Sequence, residues 1–135
     1  MRHLAKATIV LAAALAALGA QAQDKVLNIY SARHYQTDET MYETFTRTTG
    51  IKINRVDADD AGIIARLRAE GAASPADVIL LVDAARMASA DSLGLFQPIK
   101  SAKLDAAIPA HLRADATKDG VTWTGFSTRA RVIVY

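Results

Sequence analysis

Cysteine is absent from the 135 residues. The chain therefore forms no disulfide, has no thiol nucleophile and offers no lipidation site behind an export signal, so an ordinary apolar core must hold it together. A membrane-spanning run is also missing: the apolar stretch Ala7 to Leu18 is shorter than the ~20 residues a bilayer requires. Gly62 belongs to no GxGxxG or phosphate loop, which removes the nucleotide signature. Low-complexity segments and internal repeats are lacking as well. With 51% hydrophobic residues the chain reads as globular, one domain or part of one.

What is present begins with MRHLAKATIVLAAALAALGAQAQ. Arg2 and Lys6 precede an Ala/Leu run, and Ala20-Gln21-Ala22 supplies the small residues a signal peptidase needs, so residues 1–22 read as a secretory signal peptide. The exported product starts at residue 23 and, lacking a lipidated cysteine, is expected in a bacterial periplasm. Of the 16 basic side chains, removal of Arg2 and Lys6 leaves 14 against 14 acidic ones. A neutral product without a clustered basic face excludes nucleic acid as a partner.

Strands then alternate with helices. VLNIYSA (Val26 to Ala32) is rich in β-formers, and TDETMYETFTRTTG follows with Thr37 or Asp38 as N-cap, acidic residues in its first turn and Gly50 as its stop. Met41, Phe45 and Thr48 recur at helical spacing, with Tyr42 beside them. IKINRVDA predicts a second strand, Asp59 or Asp60 caps a helix through GIIARLRAEG, and ADVILLVD predicts a strand buried on both faces. DAARMASADSLG adds a helix capped by Asp83, with Gly94 beyond its end. A loop region holding Pro98 and Pro109 leads to the strand-like VTWTGFSTRARVIVY. This alternation predicts an α/β fold with right-handed crossovers, a parallel-rich sheet and flanking helices. Because the β-forming run stops at Tyr135 with no turn or cap, the chain is expected to be truncated within an element.

In parallel α/β sheets ligands bind outside the carboxyl ends of the strands, which singles out Arg33, His34 and Tyr35 after the first strand. Phenolate and imidazole suit iron, copper or zinc, and a trivalent cation would ionise the phenol despite its ordinary pKa near 10. The residues by themselves leave two other readings open: a solvated His-Tyr pair, or general acid-base chemistry by His34. No Ser or Cys nucleophile motif and no carboxylate pair supports the enzyme. Asp57, Asp59 and Asp60 lack the spacing of a calcium loop and read as helix caps. His111 reads as a surface residue. Arg129 and Arg131, two apart on a strand, share a face and suit either salt bridges or an anion.

IYSARHYQTDE, FTRTTGIKINRVDADDAGIIARLRAEGAASPADVILLVDAARM, DSLGLFQPI and WTGFSTRARVIVY, in that order, resemble the N-terminal part of the periplasmic ferric iron-binding proteins of bacterial ABC importers, from about Val26 to Tyr135. The resemblance implies a type II periplasmic binding protein fold. In that fold two hinged lobes close on Fe(III), with a synergistic anion such as carbonate, and the cargo passes to an inner-membrane ABC transporter permease. Residues 23–135 would be the first lobe only, incomplete, truncated near the crossover to the second, and the protein a monomer. The RHY triplet is similar to the tyrosine-rich branch, which makes Tyr35 and His34 the metal ligands on this side, Tyr35 foremost; the others, chiefly an adjacent tyrosine pair, belong to the second lobe. Another branch uses a glutamate where this sequence has Val82. Arg129 matches a position that holds the anion or neutralises phenolates. Arg33 has no assignment, Arg131 is read as supporting its strand, and Tyr135 as packing. A non-enzymatic carrier of ferric iron is thus the expected function, with another small solute (an oxyanion or a polyamine) or an enzyme using His34 as alternatives.

Overall fold

The computed structural model describes residues 25–128. The signal segment 1–22, Arg129, Arg131 and Tyr135 lie outside the described residues. Strand β1 (Val26–Ser31) leads to helix α1 (Gln36–Thr49), β2 (Lys52–Asp57), α2 (Asp60–Glu70), β3 (Val78–Leu80), α3 (Ala84–Asp91) and α4 (Ala102–Ala107). The strands form one parallel sheet in the order β2-β1-β3. The chain therefore steps from β1 to one side, then crosses back over β1 to the other. Right-handed crossovers put α1 on one face of the sheet and α2 on the opposite face.

The register carries this to the site. Ser31 stands opposite Asp57 on one side and Leu80 on the other, so all three carboxyl ends lie at one rim. Two further bonds extend the ladder past that rim: Ala58 N–H donates to the Ser31 carbonyl at 3.1 Å, and Ala32 N–H to the Leu80 carbonyl at 2.8 Å. Tyr30 and Ala32, on one face of β1, are buried with Ile63 and Leu67 of α2, Leu81, and Ala90 of α3. Ile29 and Ser31, on the opposite face, are buried too. The central strand is thus β1. β3 is shorter than ADVILLVD suggested and only partly buried, because it forms an edge of the described sheet.

Several boundaries follow local chemistry. Asp59 caps α2 by accepting from Gly62 N–H at 2.7 Å, and Asp83 caps α3 by accepting from Arg86 N–H at 2.8 Å. Gly50 ends α1 with φ 70°, a left-handed conformation that costs glycine little. At the other end of α1 the expectation fails. The cap is Tyr35, not Thr37 or Asp38, and no side chain caps it, because Asp38 is engaged elsewhere. The buried side of α1 also differs: Asp38 and Tyr42 are buried, whereas Met41 is exposed.

Two more differences lie near the end of the described chain. The segment read as a loop around Pro98 and Pro109 contains α4, capped by Ser101, whose hydroxyl accepts from Leu104 N–H at 3.3 Å. Residues 121–128 form no strand; Val121 and Thr124 make single antiparallel bridges to Ile99 and Arg113. Their two partners come from different segments, so no continuous ladder builds. At Gly120, φ is 118° and a Cβ would lie 2.0 Å from the Ile99 carbonyl oxygen, so the first bridge requires glycine there.

A polar knot fastens the core to α2. The Tyr30 hydroxyl, on a side chain 1% exposed, donates to the Glu70 carboxylate at 2.9 and 3.0 Å. Ser74 donates to it at 2.7 Å and Arg66 at 2.6 Å. The Ser74 hydroxyl foremost, then Arg66, hold the Glu70 carboxyl below its ordinary pKa. The ionised form is bound preferentially by the folded state, so its contribution is present above the unfolded value of about 4.3 and is lost as pH falls through the folded value. Thermal melts of Glu70→Gln and the unaltered chain at pH 7 should differ, the variant melting lower. The gap should narrow below about pH 4.3. A gap that is constant with pH would contradict this.

Candidate functional site

The strand order makes β1 the point where the chain changes direction across the sheet, and open α/β sheets bind ligands at such a point, outside the carboxyl ends. The loop Ala32 to Tyr35 lies there. Ala32 is buried as the last extension of β1, after which the chain turns outward: His34 is exposed and Tyr35 is 42% exposed. With Arg33, Gln36, Glu39, Arg55 and Asp57 they line a depression of about 330 Å³. A larger groove of about 740 Å³ runs along α1 and β2, sharing Glu39, Arg55 and Asp57 but including neither His34 nor Tyr35. Of these two depressions the smaller is the candidate site, because it includes His34 and Tyr35 at the switch point.

The charges around it are paired. Arg55 donates to Glu39 at 2.6 Å and to Asp57 at 2.9 Å, and its guanidinium lies 5.2 Å from the centre of the Tyr42 ring. The Glu39 contact foremost raises the Arg55 pKa above its ordinary value. Arg33 forks Asp38, with Nε to Oδ2 at 2.9 Å and Nη2 to Oδ1 at 3.2 Å. That hydrogen bond is the chief cause of a raised Arg33 pKa, against burial, which lowers it. Both guanidinium groups therefore stay cationic, and the carboxylates beside them are committed to them. His34 and Tyr35 contribute an imidazole and a phenol to the same rim.

Two donors make half a site at most. Among the described residues no group of three or more His, Asp or Glu side chains could hold a metal ion. The acidic run is accounted for without one: Asp57 pairs with Arg55, Asp59 caps α2, and Asp60 accepts from Val82 N–H at 3.3 Å. His111 is exposed on the short 3-10 turn Ala110–Leu112, away from His34 in sequence and outside the depression. Arg129 lies outside the described residues; Ser127, two positions before it, has its hydroxyl 3.4 Å from Arg33 Nη1. Sequence reasoning missed the Arg33 fork to Asp38 and the approach of Phe126. The first had a signal in the five-residue spacing across a strand end and a helix start; the second, 93 residues away, had none.

No family model matches the chain. Its relatives are nonetheless specific. Iron uptake protein A1 of Synechocystis sp. is 45% identical over 113 residues, which are 84% of this chain and 30% of that protein. The Fe(3+)-binding periplasmic protein of Serratia marcescens is 36% identical over 121 residues, 88% of this chain and 34% of that protein. Among solved structures, Trichodesmium FutA (IdiA) in complex with iron and citrate superposes with a TM-score of 0.68 at 44% identity, covering 76% of this chain and 31% of that one. The chain spans about a third of the length of these relatives.

Sheet, crossovers and switch-point loop are those of a type II periplasmic binding protein. Within that class the chain is a relative of the periplasmic ferric iron-binding proteins, and the resemblance read from its sequence stands. Among the described residues no helix is long and apolar enough to cross a membrane.

Proposed function

We propose that the chain is the first lobe of the periplasmic substrate-binding component of an ABC importer, which binds ferric iron between two lobes and delivers it to a membrane permease. The observation that carries this reading is the pairing of an accessible imidazole and phenol, His34 and Tyr35, at the switch point of a sheet whose sequence is 45% identical to an iron uptake protein. Tyr35 supplies the anionic oxygen that Fe(III) prefers, and His34 is its neighbour at the metal. The remaining ligands come from a second lobe, so the metal is complete only when the lobes meet, and iron selects the closed form. Arg129 helps to hold a synergistic anion; carbonate is one candidate, and the citrate seen with iron in the Trichodesmium protein is another. The product works as a monomer, exported by residues 1–22, and carries its cargo without chemical turnover.

The rival solutes fit less well. An oxyanion receptor would draw on the cations lining the depression, and among the described residues these, Arg33 and Arg55, are both paired with carboxylates. A polyamine receptor needs free carboxylates, and Glu39 and Asp57 are paired with Arg55.

Titration of the full-length, two-lobed protein with ferric citrate tests the proposal. Phenolate ligation gives a visible charge-transfer band that saturates at one iron per protein. Residues 23–135 alone bind iron weakly or not at all, having two donors for a six-coordinate ion. A colourless titration of well-folded full-length protein would sink the iron reading.

A further inference from the structure

We infer that Arg33 is the positioning residue of the site, holding the Tyr35 ring at the carboxyl end of β1 by clamping three separate parts of the chain together. The inference rests on the iron-binding reading for its purpose, though not for its geometry.

The clamp is built from both the backbone and the side chain. Ser31, fully buried, accepts from the Arg33 N–H at 3.1 Å and donates to the Arg33 carbonyl at 3.3 Å, so the loop is fixed as it leaves the strand. The guanidinium then reaches forward to α1, where its fork holds Asp38 with both side chains 10% exposed. A bidentate pair this far from solvent is little screened and has a defined direction. Tyr35 lies inside the loop that this pair closes. Its ring centre is 4.9 Å from the Arg33 guanidinium carbon, within range of a cation-π contact. On Phe126 the same carbon sits 4.5 Å from the ring centre, and Nη1 approaches Ser127. One planar cation therefore touches the loop bearing the candidate ligand, the first turn of α1, and the segment that runs on to Arg129.

An anion-binding role for Arg33 does not fit this arrangement. Its fork is occupied by Asp38, its faces meet aromatic rings, and little of it reaches solvent. A plain salt bridge does not account for it either, since an ion pair alone has no need of two rings. Lysine could supply the charge, but it has neither the planar fork nor the stacking face. That difference gives the test a variant that keeps the charge and loses the geometry.

The experiment uses full-length protein labelled with 3-fluorotyrosine and free of iron, with the Tyr35 resonance assigned by Tyr35→Phe. In Arg33→Lys, and in Arg33→Met combined with Asp38→Asn so that no carboxylate is stranded, the ¹⁹F resonance of Tyr35 should move toward that of free fluorotyrosine and sharpen. Those of Tyr30 and Tyr42 should stay put. If the double variant does not fold, Arg33→Lys decides alone. A Tyr35 resonance unmoved in a folded variant would overturn the inference. Ferric citrate added afterwards separates the two claims: the variants should bind about 10- to 100-fold more weakly, the usual loss on removing an outer partner of a metal ligand. A displaced Tyr35 with no colour even in unaltered protein would defeat the iron reading and leave the clamp standing. Colour with Tyr35 unmoved would do the reverse.

Discussion

Tyr35→Phe should abolish or shift the visible band of the ferric complex and weaken iron binding by more than the ~10- to 100-fold that loss of an outer-shell partner costs. In the proposed site the oxygen removed is the anionic donor on this side, and for Fe(III), a hard trivalent ion, the described neighbours offer no equivalent. Glu39 and Asp57 line the same depression but are held by Arg55 at 2.6 and 2.9 Å. The substitution should leave the fold alone. Phenylalanine keeps the ring that lies 4.9 Å from Arg33, so the cation-π contact survives, and Tyr35 is 42% exposed, so no cavity opens in the core. Stability should therefore change within the ~0.5 kcal/mol usual for surface positions. Iron titration and a thermal melt of the same variant check both halves. Undiminished charge transfer with normal affinity would remove Tyr35 from the site.

The separation between function and fold mirrors what could be read from the sequence. Alternation of strand-like and helix-like segments was enough for the parallel sheet, since the crossovers that parallel pairing demands leave a periodic mark. Asp59, Asp83 and Gly50 were legible as helix ends because a cap acts on its own turn. The site loop was legible in the same local sense: donors just after a strand, ahead of a helix. The start of α1 was not, because Asp38 had two possible partners, the open N–H groups of its own helix or the Arg33 guanidinium, and only the assembled loop decides between them. Residues 121–128 misled for a related reason. VTWTGF has the composition of a strand, but strands need a continuous partner, and single bridges to Ile99 and Arg113 do not supply one. The expectation of iron came from the resemblance to a known family, carried by the order of motifs across more than a hundred residues; His34 and Tyr35 as a bare dipeptide left a solvated pair open.

Ile63→Ala should produce the complementary result, a damaged fold with every candidate ligand intact. Ile63 is fully buried at the centre of the cluster that joins α2 to Tyr30, Leu67, Leu81 and Ala90. Truncation removes buried methyl and methylene groups and leaves a void in packing that relaxes only in part, at a cost of about 2–5 kcal/mol. Against the ~5–15 kcal/mol that ordinarily separates folded from unfolded domains, that is a large fraction. Chemical denaturation should show it as a lower midpoint with an unchanged slope. The loss reaches the site through β1. Tyr30 packs on Ile63, Ser31 follows it on the strand, and Ser31 fixes Arg33 and with it the loop to Tyr35. Iron affinity measured where the variant remains folded should fall modestly, with the charge-transfer band kept in position because the phenolate is still present. Ile63→Val, which leaves a smaller void, should lose only about 0.5–1.5 kcal/mol. If Ile63→Ala instead melts like the unaltered protein, the core of this lobe lies elsewhere, and the sheet is not the platform that sets the Tyr35 loop.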